Sequence, residues 1–299
     1  MRALRVRALS ADADFMSRLK QGDFQLRMHS RFSRVVNLRC SQSGLLYSVV
    51  SSALDDAPNT LRIGLSEFDT LPLGEDAELL LDDGMLRLGR VLEIELDACG
   101  EWSPPPVVFR AFPPEYFLNI SSRIQDEKFA NNSISFFDYD GNDVFYQAMS
   151  QHLVRGSTRL IEGMRTAHEP QIRKGLSELL GLGIGLTPSG DDYIVGLCAV
   201  LALPQHPAHG YMRLIAEVIR EGKSRTNTIS YMALIKAVEG KTRASIGALL
   251  ATIFNGELSL LKERIKPVLN IGSSSGADIL SGISAGLLLS NHLGSPHAA

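Results

Sequence analysis

The 299 residues predict an α+β chain, with a β-rich N-terminal domain followed by an α-helical C-terminal domain. Period-two patterning in the first third, a run of prolines after it, and helical periodicity beyond about residue 140 point to that class. Val36, Leu38 and Cys40 alternate with Asn37 and Arg39, and Leu61, Ile63 and Leu65 repeat the alternation. Leu86, Leu88, Leu92, Ile94 and Leu96 follow an Asp82-Asp83-Gly84 turn that comes after Leu79 and Leu81. Such alternation marks strands with one buried face. Asp-Gly tolerates the positive φ of tight hairpins, so residues 78–96 are expected to fold back on themselves within a small antiparallel sheet or barrel. Pro104-Pro105-Pro106 and Pro113-Pro114 supply no ladder donors and stop the strand pattern. The expected domains are therefore 1–115 and 116–299.

In the second part, Pro170 opens a run with Ile172, Leu176, Leu179 and Leu180 on one face, ending at Gly181. Ile246, Leu249, Leu250, Ile253 and Phe254 repeat that pattern before Gly256, and Gly222 and Gly240 read as further helix stops. Short helices joined by tight connections are expected.

Hydrophobic residues make up 44% of the chain, enough for a substantial core, and 30 basic against 33 acidic residues leave a net charge of -3. That balance offers no broad field for nucleic acid or an anionic membrane, and neither is expected as a partner. Cys40, Cys99 and Cys198 fit neither a disulfide framework nor a zinc ribbon, the first fifteen residues lack a signal-peptide core, and the apolar stretches 193–203 and 246–254 are too short to span a bilayer. The expected location is the cytoplasm.

Two places in the helical part share a string. Ser189-Gly190-Asp191-Asp192 is followed by Gly196, Ala199 and Leu201, and Ser275-Gly276-Ala277-Asp278 by Gly282, Ala285 and Leu287 at the same offsets. Hydroxyl residues precede each copy, Thr187 in one and Ser273-Ser274 in the other, and an apolar run follows each. Capping, with Ser189 or Ser275 as N-cap and Asp192 or Asp278 three residues on, accounts for the serines and aspartates. It leaves the glycines unexplained, since glycine inside a helix costs up to roughly 1 kcal/mol relative to alanine. At the first turn, Gly190 and Gly276 would admit a ligand or another chain segment to free N–H groups; Gly196 and Gly282 would let two helices approach closely. Two such helices with their N-termini together would seat a phosphate or carboxylate among Thr187, Ser189, Gly190, Ser274, Ser275 and Gly276. Asp191, Asp192 and Asp278 oppose an anion unless they cap amides, bind a cation or hold an ammonium or amide group. With the hydroxyls they form an oxygen set suited to magnesium, the one cofactor suggested.

Gly181-Leu182-Gly183-Ile184-Gly185 follows a helix and has Leu186 where a dinucleotide fingerprint needs its third glycine, so it is not one. Lys223 to Thr228 is a basic, hydroxyl-rich helix entrance: Arg225 and Thr226 are candidates to clamp an anion, and the alternative is a solvated loop with Thr226 or Thr228 as N-cap. His29, on a strand beside Ser30, is a candidate site residue, although structural hydrogen bonding is the commoner use of such a histidine. His206, His209, His292 and His297 lack zinc-helix spacing and are expected to be exposed. Asp138, Asp140, Asn142 and Asp143 mimic part of a calcium loop, but Met149 stands where its closing glutamate belongs, so a turn and helix cap are expected.

The string Gly183-x-Gly185-Leu186-Thr187-Pro188-Ser189-Gly190-Asp191-Asp192, with the later Ser274-Ser275-Gly276-x-Asp278, resembles the signature of the AllH-like family, mainly over residues 180–290. His29-Ser30 through Asn37 resembles the family more loosely. Its named member is a subunit of bacterial oxamate carbamoyltransferase in allantoin breakdown. The resemblance implies carbamoyl transfer between oxalurate, or a related ureido acid, and phosphate, in a complex with other subunits and with a small acid or carbamoyl phosphate as the bound partner. Charge on the departing phosphate would be stabilised by the helix N-termini, with Arg225 assisting. Two alternatives stay open: a non-catalytic assembly or binding subunit whose glycine-lined helices dock a partner protein, and an unrelated carboxylase- or ligase-like enzyme using the same anion seat.

Overall fold

A computed structural model describes residues 3–21, 24–82, 84–133 and 135–293 and divides the chain into two compact units, Met1–Pro104 and Pro105–Ala299. The first unit runs β1 (Leu4–Asp12), α1 (Ala13–Lys20), β2 (Leu26–Phe32), β3 (Val35–Cys40), β4 (Leu46–Val50), β5 (Thr60–Ile63), β6 (Glu78–Asp82), β7 (Met85–Leu88), β8 (Leu92–Glu95) and β9 (Gly100–Trp102). The strand order is β5-β4-β3-β2-β6-β7-β8-β1-β9, and β1 pairs again with β5. Eight strands thus close a barrel, and β9 adds to the C-terminal end of β1. Leu4–Arg7 of β1 run parallel to β8, then the register steps between Ala8 and Ser10 and Ala11 pairs with Leu61 of β5. That bulge bends β1 where its partners change.

The expected barrel is present, but it is mixed: β1–β8 and β4–β5 are parallel. Parallel neighbours are not joined by a hairpin, so no short turn signal announces them. The Asp-Gly hairpin is formed as expected, with Asp82 opposite Met85 and Gly84 at φ +76°, while Asp83 lies outside the described residues. Alternating Leu79, Leu86, Leu88 and Ile94 fill the interior with Leu38 and Leu61, and α1 packs Phe15 against Tyr47 with ring centroids 4.9 Å apart.

The second unit contains α2 (Pro114–Ala130), α3 (Val144–Arg165), α4 (Glu169–Leu179), α5 (Ser189–Leu201), α6 (Met212–Glu221), α7 (Thr228–Val238), α8 (Ala244–Asn255), α9 (Leu261–Leu269) and α10 (Ser275–Leu293). All thirteen residues of α5 are buried, which is why its sequence is apolar on every face after the first turn. It packs on α4, α7 and α10, and α10 also reaches α2, α3 and α9. Gly181 and Gly256 follow α4 and α8 with φ +76° and +79°. Asp143 caps α3, accepting from the N–H groups of Phe145 and Tyr146, as the reading of that loop as a helix cap anticipated.

Two expectations are corrected. The N-cap of α7 is Asn227 rather than Thr226 or Thr228: its carboxamide oxygen accepts from Ile229 and Ser230 N–H, both at 3.0 Å. His206 is buried, not exposed: Nδ1 accepts from Ala208 N–H at 3.0 Å, the ring meets Phe109 edge-on, and burial pushes its pKa down to about 4. His209 and His292 are exposed, and His297 lies outside the described residues. Cys40, Cys99 and Cys198 are free thiols, and among the described residues no helix is long and apolar enough to cross a membrane.

Candidate ligand site at the paired helix tips

The two copies of the repeated string start α5 and α10, and these helices pack against each other. A Cβ on Gly196 would fall on the Ile279 carbonyl oxygen, and one on Gly282 on the Tyr193 carbonyl oxygen. The contact is reciprocal and keeps the spacing of the sequence repeat. Gly286 lies against Val200, and at the other end Thr187 Oγ1 and Ser275 Oγ are 2.8 Å apart, so the helices run parallel with their starts together. The close approach expected from Gly196 and Gly282 is therefore what the backbone requires.

The first-turn glycines serve a different end from ligand access. A Cβ on Gly190 would strike the Leu179 carbonyl oxygen, and one on Gly276 the Val268 carbonyl oxygen. Gly190 N–H donates to Leu182 O at 2.8 Å and Gly276 N–H to Ile271 O at 2.9 Å. Each tip is thus wedged against the end of the helix before it, and both glycine amides are used by the chain itself. Ser189 is the first residue of α5 rather than its cap, which is Pro188, and its hydroxyl makes no capping bond. Of the two possibilities, ligand or chain segment, the segment fills the glycine sites.

Asp191 belongs to a structural clasp. Oδ1 accepts from Gly181 N–H at 2.7 Å; Oδ2 accepts from Ser230 Oγ at 2.7 Å and from the Thr226 hydroxyl. These bonds tie the end of α4 and the start of α7 to α5. Burial raises the Asp191 pKa, against the pull of its three donors.

Asp192 and Asp278 behave differently. Asp278 Oδ1 accepts from Ser135 Oγ at 2.8 Å and Phe136 N–H at 3.1 Å, while among the described residues Asp278 Oδ2, Asp192 Oδ2 and Ser189 Oγ make no hydrogen bond of good geometry, although the Ser189 hydroxyl lies near enough to Asp278 to favour its ionised form. All three residues are at most 4% exposed. Burial pushes the Asp192 pKa up to about 8, opposed by the Ser275 and Thr187 hydroxyls and reinforced by the Asp278 carboxylate. Burial likewise lifts Asp278 to about 6, against the Ser135 and Ser189 hydroxyls and the Lys128 ammonium. The two carboxyls sense each other across the tips, whereas Asp191 is occupied elsewhere. Among the described residues no three His, Cys, Asp or Glu side chains come together as a metal ion would need.

Each remaining candidate has surroundings of its own. Ser274 is half-buried at the loop before α10, and its carbonyl accepts from Asp278 N–H at 3.0 Å. Arg225 has an exposed side chain, and its carbonyl packs on Gly181. Thr226 is part of the Asp191 clasp. His29 belongs to the barrel unit, in the bulge where β2 carries one more residue than β3; it is exposed, and its Nδ1 lies 3.0 Å from Ser30 Oγ. Partial burial and the Arg39 charge lower its pKa.

Sequence reasoning missed Ser135, Lys128 and Ser281. Lys128 donates to Ser281 Oγ at 3.0 Å and to the Asp138 carboxylate, and Ser281 Oγ lies 3.4 Å from Ser135 Oγ. One signal was available for the lysine: the buried stripe Phe117, Ile120, Ile124 of α2 continues onto position 128 at the next i+4 step.

Two family models match the chain. The one described as oxamate carbamoyltransferase subunit AllH matches residues 179–287, and the AllH family N-terminal domain matches residues 7–101. The first match contains both tips and the second most of the barrel. No solved structure matches.

Proposed function

The chain belongs to the AllH family of oxamate carbamoyltransferase subunits, and on that premise we propose that it works within a carbamoyltransferase assembly and holds a small acid or carbamoyl phosphate at the tips of α5 and α10. Three unspent buried oxygens carry this reading: Ser189 Oγ, Asp192 Oδ2 and Asp278 Oδ2. Each buried polar group left without a partner costs about 1–3 kcal/mol, a cost that a ligand with matching donors removes. Because the glycine amides are already used, recognition rests on hydroxyls and carboxyls, which suit the N–H groups of an amide better than a bare anion.

In the proposed transfer, the amide nitrogen of the acceptor acid bonds to the carbamoyl carbon, the bond from that carbon to the phosphate oxygen breaks, and the nitrogen gives up a proton. Asp278, ionised above about pH 6, is the group assigned to receive that proton, and Asp192, protonated up to about pH 8 and a base only above it, is assigned to hold the amide by hydrogen bond. Arg225, exposed beside the clasp, is assigned to the departing phosphate. A cytoplasmic setting goes with three free thiols.

Phosphate release from carbamoyl phosphate and oxamate tests the proposal, using the purified chain alone and co-expressed with its companion subunits. Assayed above pH 8, where Asp192 is ionised, activity is expected in the assembly and is expected to fall at least about a hundredfold with Asp192→Asn, the usual scale for losing a general base. Full activity of the D192N assembly would remove the chemistry from the tips and leave an assembly role. No transfer in any combination would overturn the reaction class.

A further inference from the structure

A cavity of about 350 Å³ opens beside α2 and the turn that follows it, with Gln125, Lys128, Asn132, Ser135, Asp138 and Asp140 among its lining residues. Lys128 is only 4% exposed, an unusual place for an ammonium, since taking a charge out of water is costly unless it is paired. Two of its three N–H donors are satisfied, by Asp138 and Ser281, which leaves one for a further acceptor. Ser135 lines the same cavity and donates to Asp278. The cavity and the helix tips are therefore linked by a continuous path, 3.0 Å from Lys128 to Ser281, 3.4 Å to Ser135 and 2.8 Å to Asp278.

We propose that this cavity is a carboxylate pocket, in which Lys128 anchors the acid group of a small metabolite and the Ser135 wall leads by one hydrogen bond to Asp278. Lys128 is the one cation among the lining residues, set against the two carboxylates of Asp138 and Asp140. The lining is therefore net negative, so the spare N–H of Lys128 is the attraction for an acid group, and the two carboxylates repel a multiply charged phosphate more strongly than a singly charged carboxylate. The polar donors Gln125 and Asn132 at the same wall suit the neutral remainder of an amide or keto acid. The pocket deepens the function proposed above, on which it rests for the identity of the acid.

Titration calorimetry of the full chain with oxamate, with pyruvate and with inorganic phosphate tests it. Pyruvate keeps the carboxylate and lacks the amide. Saturable binding of both acids is expected, with phosphate much weaker. Lys128→Met should weaken both acids by about tenfold or more, the scale of a lost charge-assisted hydrogen bond. Ser133→Trp, at the half-buried rim, should block the cavity while keeping the Lys128 ammonium, since Ser133 meets Lys128 through a backbone hydrogen bond of 3.0 Å that the substitution retains. Asp192→Asn should weaken oxamate alone. Failure of both acids to bind, or unaltered binding by S133W or by a K128M chain of native helicity, overturns the pocket. Loss of both acids in K128M with oxamate unaffected by D192N keeps the pocket and overturns the amide site at the tips.

Discussion

Three aspartates within one repeated string have three different fates, and each fate has its own measurable consequence. Asp191 satisfies donors from Gly181, Thr226 and Ser230, so Asp191→Ala strands three polar groups and should cost about 3 kcal/mol or more in a urea titration. Asp192 keeps its proton up to about pH 8 when folded but releases it near 3.8 when unfolded. The folded chain binds the extra proton between those values, so stability falls as pH rises across that window. Asp278 adds a similar slope that ends near pH 6, and His206, which ionises near 4 when folded and 6.5 when unfolded, adds an opposite one that ends at 6.5. From pH 6.5 to 8 Asp192 contributes a falling slope, and Asp192→Asn should make the melting temperature fall less steeply over that range. At this scale the sequence was partly legible. Thr187, Ser189, Ser275 and the aspartates stood out as unusual before apolar helices, and the structure gathers them. The fate of each carboxyl depended on partners such as Ser135 and Ser230, which lie 143 and 39 positions away and leave no mark on the local pattern. Asp192 and Asp278 occupy equivalent places in the repeat, and only their surroundings separate them.

The crossing of α5 and α10 depends on backbone meeting backbone, which makes it the least tolerant element of the fold. Gly196→Ala and Gly282→Ala each place a methyl group on a main-chain carbonyl that cannot rotate away. Each is expected to destabilise by about 3 kcal/mol or more, at the upper end of overpacking costs, whereas Gly210→Ala, with open space around it, should stay within about 0.5 kcal/mol. Equal losses at all three positions would mean that contact with the facing carbonyls does not set the effect, since backbone entropy alone favours alanine. The helices α4 and α8 and the strands β3, β5, β7 and β8 could be read from periodicity, because each buries one face, whereas in β6 Leu79 is buried and Leu81 is exposed. The reason for Gly190 and Gly276 could not: a glycine that admits a ligand and a glycine that admits a neighbouring carbonyl look the same in a sequence. The cap of α7 was misplaced by one residue for a related reason, since threonine and asparagine side by side both qualify.

For the molecule as a whole, β1 is the strand that closes the ring, pairing with β5, β8 and β9. Removing residues 1–12 would expose the inner edges of β5 and β8 together, and the truncated chain is expected to lose β-sheet signal in circular dichroism and to aggregate on size-exclusion chromatography. A barrel was anticipated from its alternating strands, but not its closure, because the first and fifth strands meet only after the intervening chain has folded. β9 also carries Trp102, aligned with Asp12 of β1 and the only tryptophan in the sequence. Its fluorescence therefore originates in the barrel unit and nowhere else, so emission follows one half of the protein while helical ellipticity is dominated by the other, and the order in which they melt can be watched without adding a label.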